Sequence, residues 1–167
     1  MAKSKPGKLH GTRNDLGANA RETSVSVLNA VLADSIDLTN AARMAHWTVR
    51  GAQFAALHEL FGTFYDDLAA VTDDIAERVV QLGGTPEGTT QAVGERSRLP
   101  AYPAGLRAGM DHVTALADRY AMLAKAVRAG IDATDEAGDA DTADLLTGYS
   151  RTLDKALWML EAHLEGA

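Results

Sequence analysis

Apolar residues recur every three or four positions along most of the chain, which is the spacing of helices that bury one face. The first such stretch runs from Asn19 to about Val49, and Asn19 with Glu22 has the spacing of a capping box. After a turn at Arg50 and Gly51, a second stretch runs from about Gln53 to Leu82, where two glycines stop it. The pattern predicts two long helices in succession.

The second half of the chain predicts a long connection followed by two more helices. Residues 85–103 are rich in Gly, Thr and Pro and predict a crossover with one short helix near Gln91 to Glu95. The third helix is predicted from Pro103 to about Ala129, with Gly130 beginning the next break. An acidic, turn-rich segment over 132–141 precedes the fourth helix, which has apolar positions in a seven-residue rhythm. This order predicts an all-α, ferritin-like four-helix bundle.

Composition agrees with a single helical domain. The chain has 167 residues, of which 46% are hydrophobic and only 5% aromatic. No apolar run reaches the roughly 18 residues needed to span a bilayer, and the first residues lack the apolar centre of a secretion signal, so we expect a cytoplasmic protein without a membrane partner. Because cysteine is absent, any metal must be bound by nitrogen and oxygen.

Charge divides the chain into two unequal parts. Four basic residues precede the bundle against the single acid Asp15, which gives this segment +3; they are Lys3, Lys5, Lys8 and Arg13. The remaining 12 basic and 22 acidic residues give the body −10, which favours cations. We therefore predict a flexible basic tail over residues 1–18 and a bundle domain over 19–167.

Two histidines and two carboxylates make a candidate metal set. His46 and His58 flank the turn between the first two helices, and Asp73 and Glu77 share one face of the second. Taken singly, each residue has a simpler explanation. Either histidine could be hydrogen-bonded to a neighbour, and either carboxylate could be a solvated surface residue or a salt-bridge partner of Arg78. Taken together, they suit iron, manganese or zinc.

Helix geometry separates the four residues into two pairs. His58 and Asp73 are fifteen positions apart, or roughly 22 Å along one helix, so they cannot share a metal within one subunit. His46 approaches His58 because the chain reverses at Gly51. Two copies packed antiparallel about a two-fold axis would bring the histidines of one against Asp73 and Glu77 of the other.

Several segments then resemble the signature of the Dps family, the mini-ferritins that protect DNA in starved bacteria. These are HWTVRGAQFAALHELF, DDIAERVVQLGGTPEGTTQ, TRNDLG, IDL, DHVTALADRYAMLA and DTADLLTGYSRTLDKALWMLEAHLE, and they cover nearly the whole chain. The resemblance implies a hollow dodecamer that oxidises Fe(II) with hydrogen peroxide and stores ferric mineral. It maps the iron ligands onto His46, His58, Asp73 and Glu77, with Glu77 favoured as a bridge between two irons.

The chain departs from the family pattern at one position. A further family carboxylate lies one turn after the second histidine, where this chain has Gly62. We expect a weakened second iron position, for which Glu59 and Asp66 are poor substitutes, and we expect Gly62→Asp to tighten binding of a second Fe(II). Trp47, beside His46, is predicted as a core or interface aromatic and, as a further role, as an electron donor that quenches stray oxidants.

Iron entry through a pore and DNA binding are the remaining expected functions. Asp139, Asp141 and Asp144 open the fourth helix, where capping accounts for one of them. The resemblance implies a three-fold pore lined by Asp141 and Asp144, and non-specific DNA binding by Lys3, Lys5, Lys8 and Arg13, multiplied over twelve tails. The alternatives are a DNA-compacting protein whose iron site is impaired at Gly62, and a ferritin-like bundle that uses another metal.

Overall fold

Five helices make up most of the chain that the computed structural model describes, residues 9–165. They are α1 (Ala18–Thr48), α2 (Phe54–Gln81), α3 (Thr90–Arg96), α4 (Gly109–Glu136) and α5 (Ala140–Leu164). Helix α3 lies in the crossover between α2 and α4. The predicted all-α bundle, with a short helix in a long crossover, is thus confirmed.

The four long helices pack as two pairs around one apolar core. Helix α1 packs mainly against α2 and α4 against α5, while α1 and α4 join the pairs. The core draws on all four, with fully buried side chains that include Leu28, Leu32, Leu57, Phe61, Leu68, Ile75, Leu116, Tyr120, Leu123, Leu146, Tyr149, Leu153 and Leu160. Over residues 9–165, no helix is long and apolar enough to cross a membrane.

A buried carboxylate fixes the crossover to α1. Asp34 is 1% exposed and accepts hydrogen bonds from the backbone nitrogen of Arg98 at 2.7 Å and from its guanidinium at 2.6 and 2.8 Å. Asn29, five residues earlier, donates to the Thr85 carbonyl and accepts from the Glu87 nitrogen. The crossover therefore has a defined path despite its irregular sequence.

The predicted capping box at the start of the first helix is wrong. Helix α1 begins at Ala18 with Gly17 as the N-cap, and the cap makes no side-chain hydrogen bond. Asn19 already lies inside the first turn. Upstream, Asn14 accepts from the Leu16 nitrogen, and Arg21 Nε donates to the Leu16 carbonyl. The chain thus enters α1 through a hydrogen-bonded turn and without the predicted side-chain cap.

The third helix begins later than Pro103. Residues 101–108 form a loop with a turn at Ala104 and Gly105, and α4 starts at Gly109. Within this loop, Arg119 of α4 donates to the carbonyls of Pro100 and Ala101 at 3.0 and 2.6 Å. Further along the loop, Gly105 has a φ of +83° and the Arg107 carbonyl accepts from the Arg50 nitrogen at 2.7 Å, so the backbone there is not helical.

The same helix also continues past the glycine predicted to end it. A Cβ on Gly130 would lie 2.9 Å from Val27 of α1 and 3.2 Å from Leu146 of α5, so this glycine allows close helix packing. The break falls instead at Gly138, whose φ of +87° lies in the left-handed region that glycine favours. Most of the predicted acidic turn is therefore helical, up to Glu136.

The start of the described chain contacts the bundle. Leu9 and Leu16 pack against the core, and the backbone nitrogen of His10 donates to the Gly83 carbonyl at 2.7 Å. Arg13 is exposed. Lys3, Lys5 and Lys8 lie outside the described residues, and the boundary of the tail at residue 18 stays a prediction.

Candidate metal centre

Two histidines meet where α1 ends and α2 begins. The chain reverses at Gly51, which has a φ of +115°, and this brings the last turn of α1 beside the first turns of α2. His46 Nδ1 lies 2.7 Å from the carbonyl oxygen of His58, and His58 Nδ1 lies 2.8 Å from that of His46. The rings stack with centroids 3.8 Å apart. Each histidine thus orients the other.

These hydrogen bonds determine where the ring protons lie. A carbonyl oxygen only accepts hydrogen bonds, so each Nδ1 must carry a proton and donate it. In the neutral ring, the lone pair is then on Nε2, so both His46 and His58 can offer the Nε2 lone pair to a cation. A backbone carbonyl behind the other ring nitrogen is the usual support of a metal-binding histidine.

Gly62 lies close to the His46 ring. A Cβ at position 62 would be 3.2 Å from His46 Nδ1 and 3.3 Å from His46 Cε1, closer than ordinary van der Waals contact. An aspartate here would therefore crowd His46 as well as supply a carboxylate. The crowding of His46 would offset part of the gain in iron binding that is expected from the carboxylate.

A small cavity of about 220 Å³ opens beside the histidine pair; it is lined by Arg43, His46, Trp47, Gly62, Tyr65 and Asp66. The Arg43 guanidinium lies 5.0 Å from the Trp47 ring centroid and 4.8 Å from that of Tyr65. Trp47 is 55% exposed, so within this subunit it is a surface aromatic rather than a core residue. Sequence reasoning missed both Arg43 and Tyr65. Arg43 and Trp47 lie four residues apart on α1, a spacing that the sequence shows, whereas the contact of Arg43 with Tyr65 joins α1 to α2 and leaves no local sequence signal.

The two carboxylates have a different setting. Asp73 and Glu77 are exposed on one face of α2. Among the residues that the structure describes, neither has a hydrogen bond or an ion pair. The alternative that Arg78 is their salt-bridge partner is wrong, because Arg78 Nη2 instead lies 2.7 Å from Asp139.

The two pairs remain apart within one subunit. Helix α2 is continuous from Phe54 to Gln81, so His58 and Asp73 are separated by roughly 22 Å along its axis. Consistently, residues 9–165 contain no cluster of three or more His, Asp or Glu side chains able to hold a metal. Each subunit offers an imidazole pair and a carboxylate pair, and neither is a complete site.

Comparison with known proteins identifies the family. Residues 25–167 match the model of the ferritin-like domain. The DNA protection during starvation protein of Agrobacterium fabrum is 50% identical over 158 residues, which are 95% of this chain and 98% of that protein. The chain belongs to the Dps family. This confirms the resemblance found in the sequence.

Solved structures of Dps proteins share the fold over nearly the full length. DpsC from Streptomyces coelicolor has a TM-score of 0.93 at 28% identity and covers 100% of this chain and 98% of its own. The Dps protein from Vibrio cholerae O1, described as a member of the ferritin-like diiron-carboxylate superfamily, has a TM-score of 0.88 at 25% identity, covering 95% of this chain and 99% of its own.

The aspartates at the start of α5 differ from one another in this Dps chain. Asp139 is buried and caps the helix, accepting from the Thr142 nitrogen at 3.1 Å, as capping predicts for one of the three. Burial raises the pKa of Asp139, but hydrogen bonds from Thr142 and Arg78 outweigh it and hold the pKa below its ordinary value. Asp141 and Asp144 are exposed, and Asp141 Oδ2 also lies 3.9 Å from Arg78 Nη2. The pore lining by these two aspartates stays a prediction.

A third histidine, which sequence reasoning did not single out, lies behind the imidazole pair. His112 of α4 is fully buried, with Nδ1 2.7 Å from the Tyr102 hydroxyl and Nε2 3.3 Å from the Thr48 hydroxyl at the end of α1. Burial lowers the pKa of His112 and raises that of Tyr102 to about 12. The network ties the crossover loop and α4 to the turn that presents His46.

Proposed function

We propose that this Dps-family protein oxidises Fe(II) at sites shared between two-fold related subunits and stores the ferric product inside a dodecameric shell. The observation that carries the proposal is the reciprocal hydrogen bonding of His46 and His58, which keeps the lone pair of each ring on Nε2 in two rings whose centroids lie 3.8 Å apart. The cation charge would be neutralised by Asp73 and Glu77 of a second subunit. This set of nitrogen and oxygen ligands suits iron.

The ligands act by positioning Fe(II) and offsetting its charge. His46 and His58 bind only as neutral imidazoles, and acid removes their lone pairs, so binding is expected to weaken as pH falls. Glu77 lies one turn beyond Asp73 and is the proposed bridge between two irons. With Gly62 in place of a carboxylate, the second iron has one ligand fewer from the protein.

Hydrogen peroxide is the proposed oxidant. Two Fe(II) ions each give one electron to one peroxide molecule, whose O–O bond breaks, and two protons are taken up to form two water molecules. This route releases no hydroxyl radical and thereby protects DNA. Trp47 is proposed to reduce, by one electron, any hydroxyl radical that escapes, because its ring is exposed in the cavity beside His46. Spin trapping should then detect more radical from Trp47→Phe at unchanged iron binding.

Iron entry and DNA binding are proposed at two other places. Asp141 and Asp144, both exposed at the start of α5, would form rings of carboxylates at three-fold pores and attract Fe(II). Lys3, Lys5, Lys8 and Arg13 would contact DNA phosphates, with twelve tails acting together in the bacterial cytoplasm. Because Leu9 and His10 contact the bundle, the deletion that tests the tail is residues 2–8.

Native mass followed by anaerobic Fe(II) titration tests the function. We expect a dodecamer that binds Fe(II), oxidises it when peroxide is added and retains the ferric product. An assembly that leaves Fe(II) unbound, or that binds and releases it unoxidised, would contradict the proposal. A salt-sensitive gel shift that the 2–8 deletion abolishes would separate DNA binding from iron chemistry.

Gly62 favours one other candidate, a DNA-compacting structural protein with an impaired iron site. The Agrobacterium fabrum relative is described as protecting DNA during starvation, which either function would satisfy. The same experiment distinguishes them. A dodecamer that is inert to Fe(II) but shifts DNA would support the structural candidate.

A further inference from the structure

Gly62 provides space for an imidazole. It is not among the glycines with positive φ, so the backbone at this position of α2 would accept any residue except proline. A glycine inside a helix costs about 1 kcal/mol relative to alanine. What distinguishes the position is the His46 ring, which would lie 3.2 and 3.3 Å from an added Cβ through its Nδ1 and Cε1 atoms.

We propose that Gly62 is a positioning residue, whose missing side chain lets His46 keep the orientation that presents Nε2 to iron. The inference rests on the proposed function and deepens it. The glycine that removes a carboxylate from the family pattern would, in this chain, be required for the geometry of the imidazole pair.

The His46 ring has little freedom to move away from a side chain at 62. Its Nδ1 donates to the His58 carbonyl at 2.7 Å, and its face stacks on the His58 ring at a centroid distance of 3.8 Å. A shift of a few tenths of an ångström must therefore lengthen the hydrogen bond or disturb the stack. Because Nδ1 is both the donor and the nearest atom to the added Cβ, the hydrogen bond is the first contact affected.

A weaker hydrogen bond at His46 Nδ1 affects metal binding because it determines where the ring proton lies. The hydrogen bond to the His58 carbonyl holds the proton on Nδ1 and so leaves the lone pair on Nε2. When it is weakened, both the ring orientation and the choice of tautomer become less defined. Loss of support behind a ligand typically weakens metal affinity about 10- to 100-fold.

A second helical glycine provides a matched control. Gly148 lies inside α5, is half-buried, and has open space where a Cβ would be added. Gly148→Ala should raise the unfolding temperature through helix propensity alone and leave metal binding unchanged. Gly62→Ala makes the identical chemical change beside His46.

Cobalt titration of the full assembly, with calorimetry and the visible spectrum of bound Co²⁺, tests the proposal. We expect Gly62→Ala to weaken Co²⁺ affinity about 10- to 100-fold relative to wild type and to Gly148→Ala. Gly62→Asp adds the same Cβ together with the family carboxylate, and the added ligand should make it bind more tightly than Gly62→Ala. Affinity equal to or tighter than wild type in Gly62→Ala would overturn the proposal.

A metal-free measurement separates this inference from the proposed function. Solid-state NMR of assemblies carrying ¹⁵N-labelled histidine reports which ring nitrogen of His46 is protonated. We expect a protonated Nδ1 in wild type and Gly148→Ala, and a mixture of tautomers in Gly62→Ala. An unchanged His46 signal in Gly62→Ala would refute the positioning role, whereas a wild-type assembly that binds no Co²⁺ would contradict the metal site itself.

Discussion

The imidazole pair and the carboxylate pair are two halves of one proposed site, but the chain fixes them to very different degrees. His46 and His58 are half-buried, stacked, and held by two hydrogen bonds to backbone carbonyls. Asp73 and Glu77 are exposed and, among the residues that the structure describes, have no hydrogen-bond or ion-pair partner. One half is organised before any metal or second subunit arrives, and the other is not.

This difference reflects how precisely each type of ligand must be positioned before it binds a metal. Imidazole lone pairs need a defined tautomer, which backbone carbonyls of the same chain provide. Carboxylates accept a cation from several directions and tolerate a less defined starting position. The subunit therefore places its fixed ligands where α1 ends and α2 begins, and its adaptable ligands further along α2, where assembly and metal would order them.

The largest expected effect is loss of metal binding when either pair is removed. The double variants His46→Ala/His58→Ala and Asp73→Ala/Glu77→Ala should each weaken Co²⁺ affinity by at least about 100-fold, because each removes half of the ligands. Calorimetry on the full assembly measures this. Asp74→Ala, which removes a neighbouring exposed acid on another face of α2, should bind as wild type does. Wild-type affinity in either double variant would contradict the assignment.

The next largest effect is a loss of stability on replacing Arg78, which follows Glu77 directly in the sequence. Arg78 is 11% exposed and pairs with Asp139, which is 1% exposed, so Arg78→Met leaves a buried carboxylate unpaired. We expect the free energy of unfolding to fall by about 3 kcal/mol, measured by denaturant titration. Arg128→Met removes an exposed pair with Asp154 and should cost less than about 1 kcal/mol. Equal losses in the two variants would show that burial of the pair is unimportant.

A smaller effect distinguishes the imidazole pair from the carboxylate pair by what each contributes to the free energy of unfolding. Removing both imidazoles breaks two hydrogen bonds, which should lower the free energy of unfolding by about 2 kcal/mol. Removing Asp73 and Glu77 should change it by less than about 0.5 kcal/mol, because their side chains are exposed and unpartnered. Thermal and denaturant unfolding of the same two double variants provide the comparison. Similar losses in both would mean that the imidazole pair is not preorganised.

The smallest effect is a pH dependence of the free energy of unfolding, caused by His112 near the imidazole pair. Burial lowers the pKa of His112, so the folded state binds its proton less readily than the unfolded state does. The stability contributed by the neutral ring is full above the unfolded pKa of about 6.5 and is lost as pH falls below it. Stability of His112→Gln should therefore fall less between pH 7 and 5 than that of wild type, while His163→Gln should follow wild type. A steeper fall in His112→Gln would reverse the assigned sign.

Much of the fold could be predicted from the sequence, because periodicity and the crossover composition reflect burial directly. The errors fell where tertiary contacts decide the outcome. Gly130 looks like a helix stop in the sequence, yet it lies inside α4 because Val27 and Leu146 need the space. Pro103 looks like a helix start, yet the loop after it has Gly105 at a φ of +83° and pairs the Arg107 carbonyl with the Arg50 nitrogen.

The candidate site was predictable as residue types and spacing but not as geometry. Helix rise alone separates His58 from Asp73, and the continuous α2 agrees. The reciprocal hydrogen bonds between His46 and His58 depend on the reversal at Gly51, and the closeness of Gly62 to His46 depends on how α1 packs on α2. Both are contacts between helices, which no spacing along one helix encodes.

The central claim is that one metal site is built from two chains, and complementation tests it most directly. Assemblies would be refolded from a mixture of the His46→Ala/His58→Ala and Asp73→Ala/Glu77→Ala variants, and Co²⁺ stoichiometry and Fe(II) oxidation would be measured. Each mixed dimer should regain about one intact site, since one interface pairs the unaltered histidines with the unaltered carboxylates. Mixed assemblies that bind and oxidise no more metal than either parent would contradict the shared site.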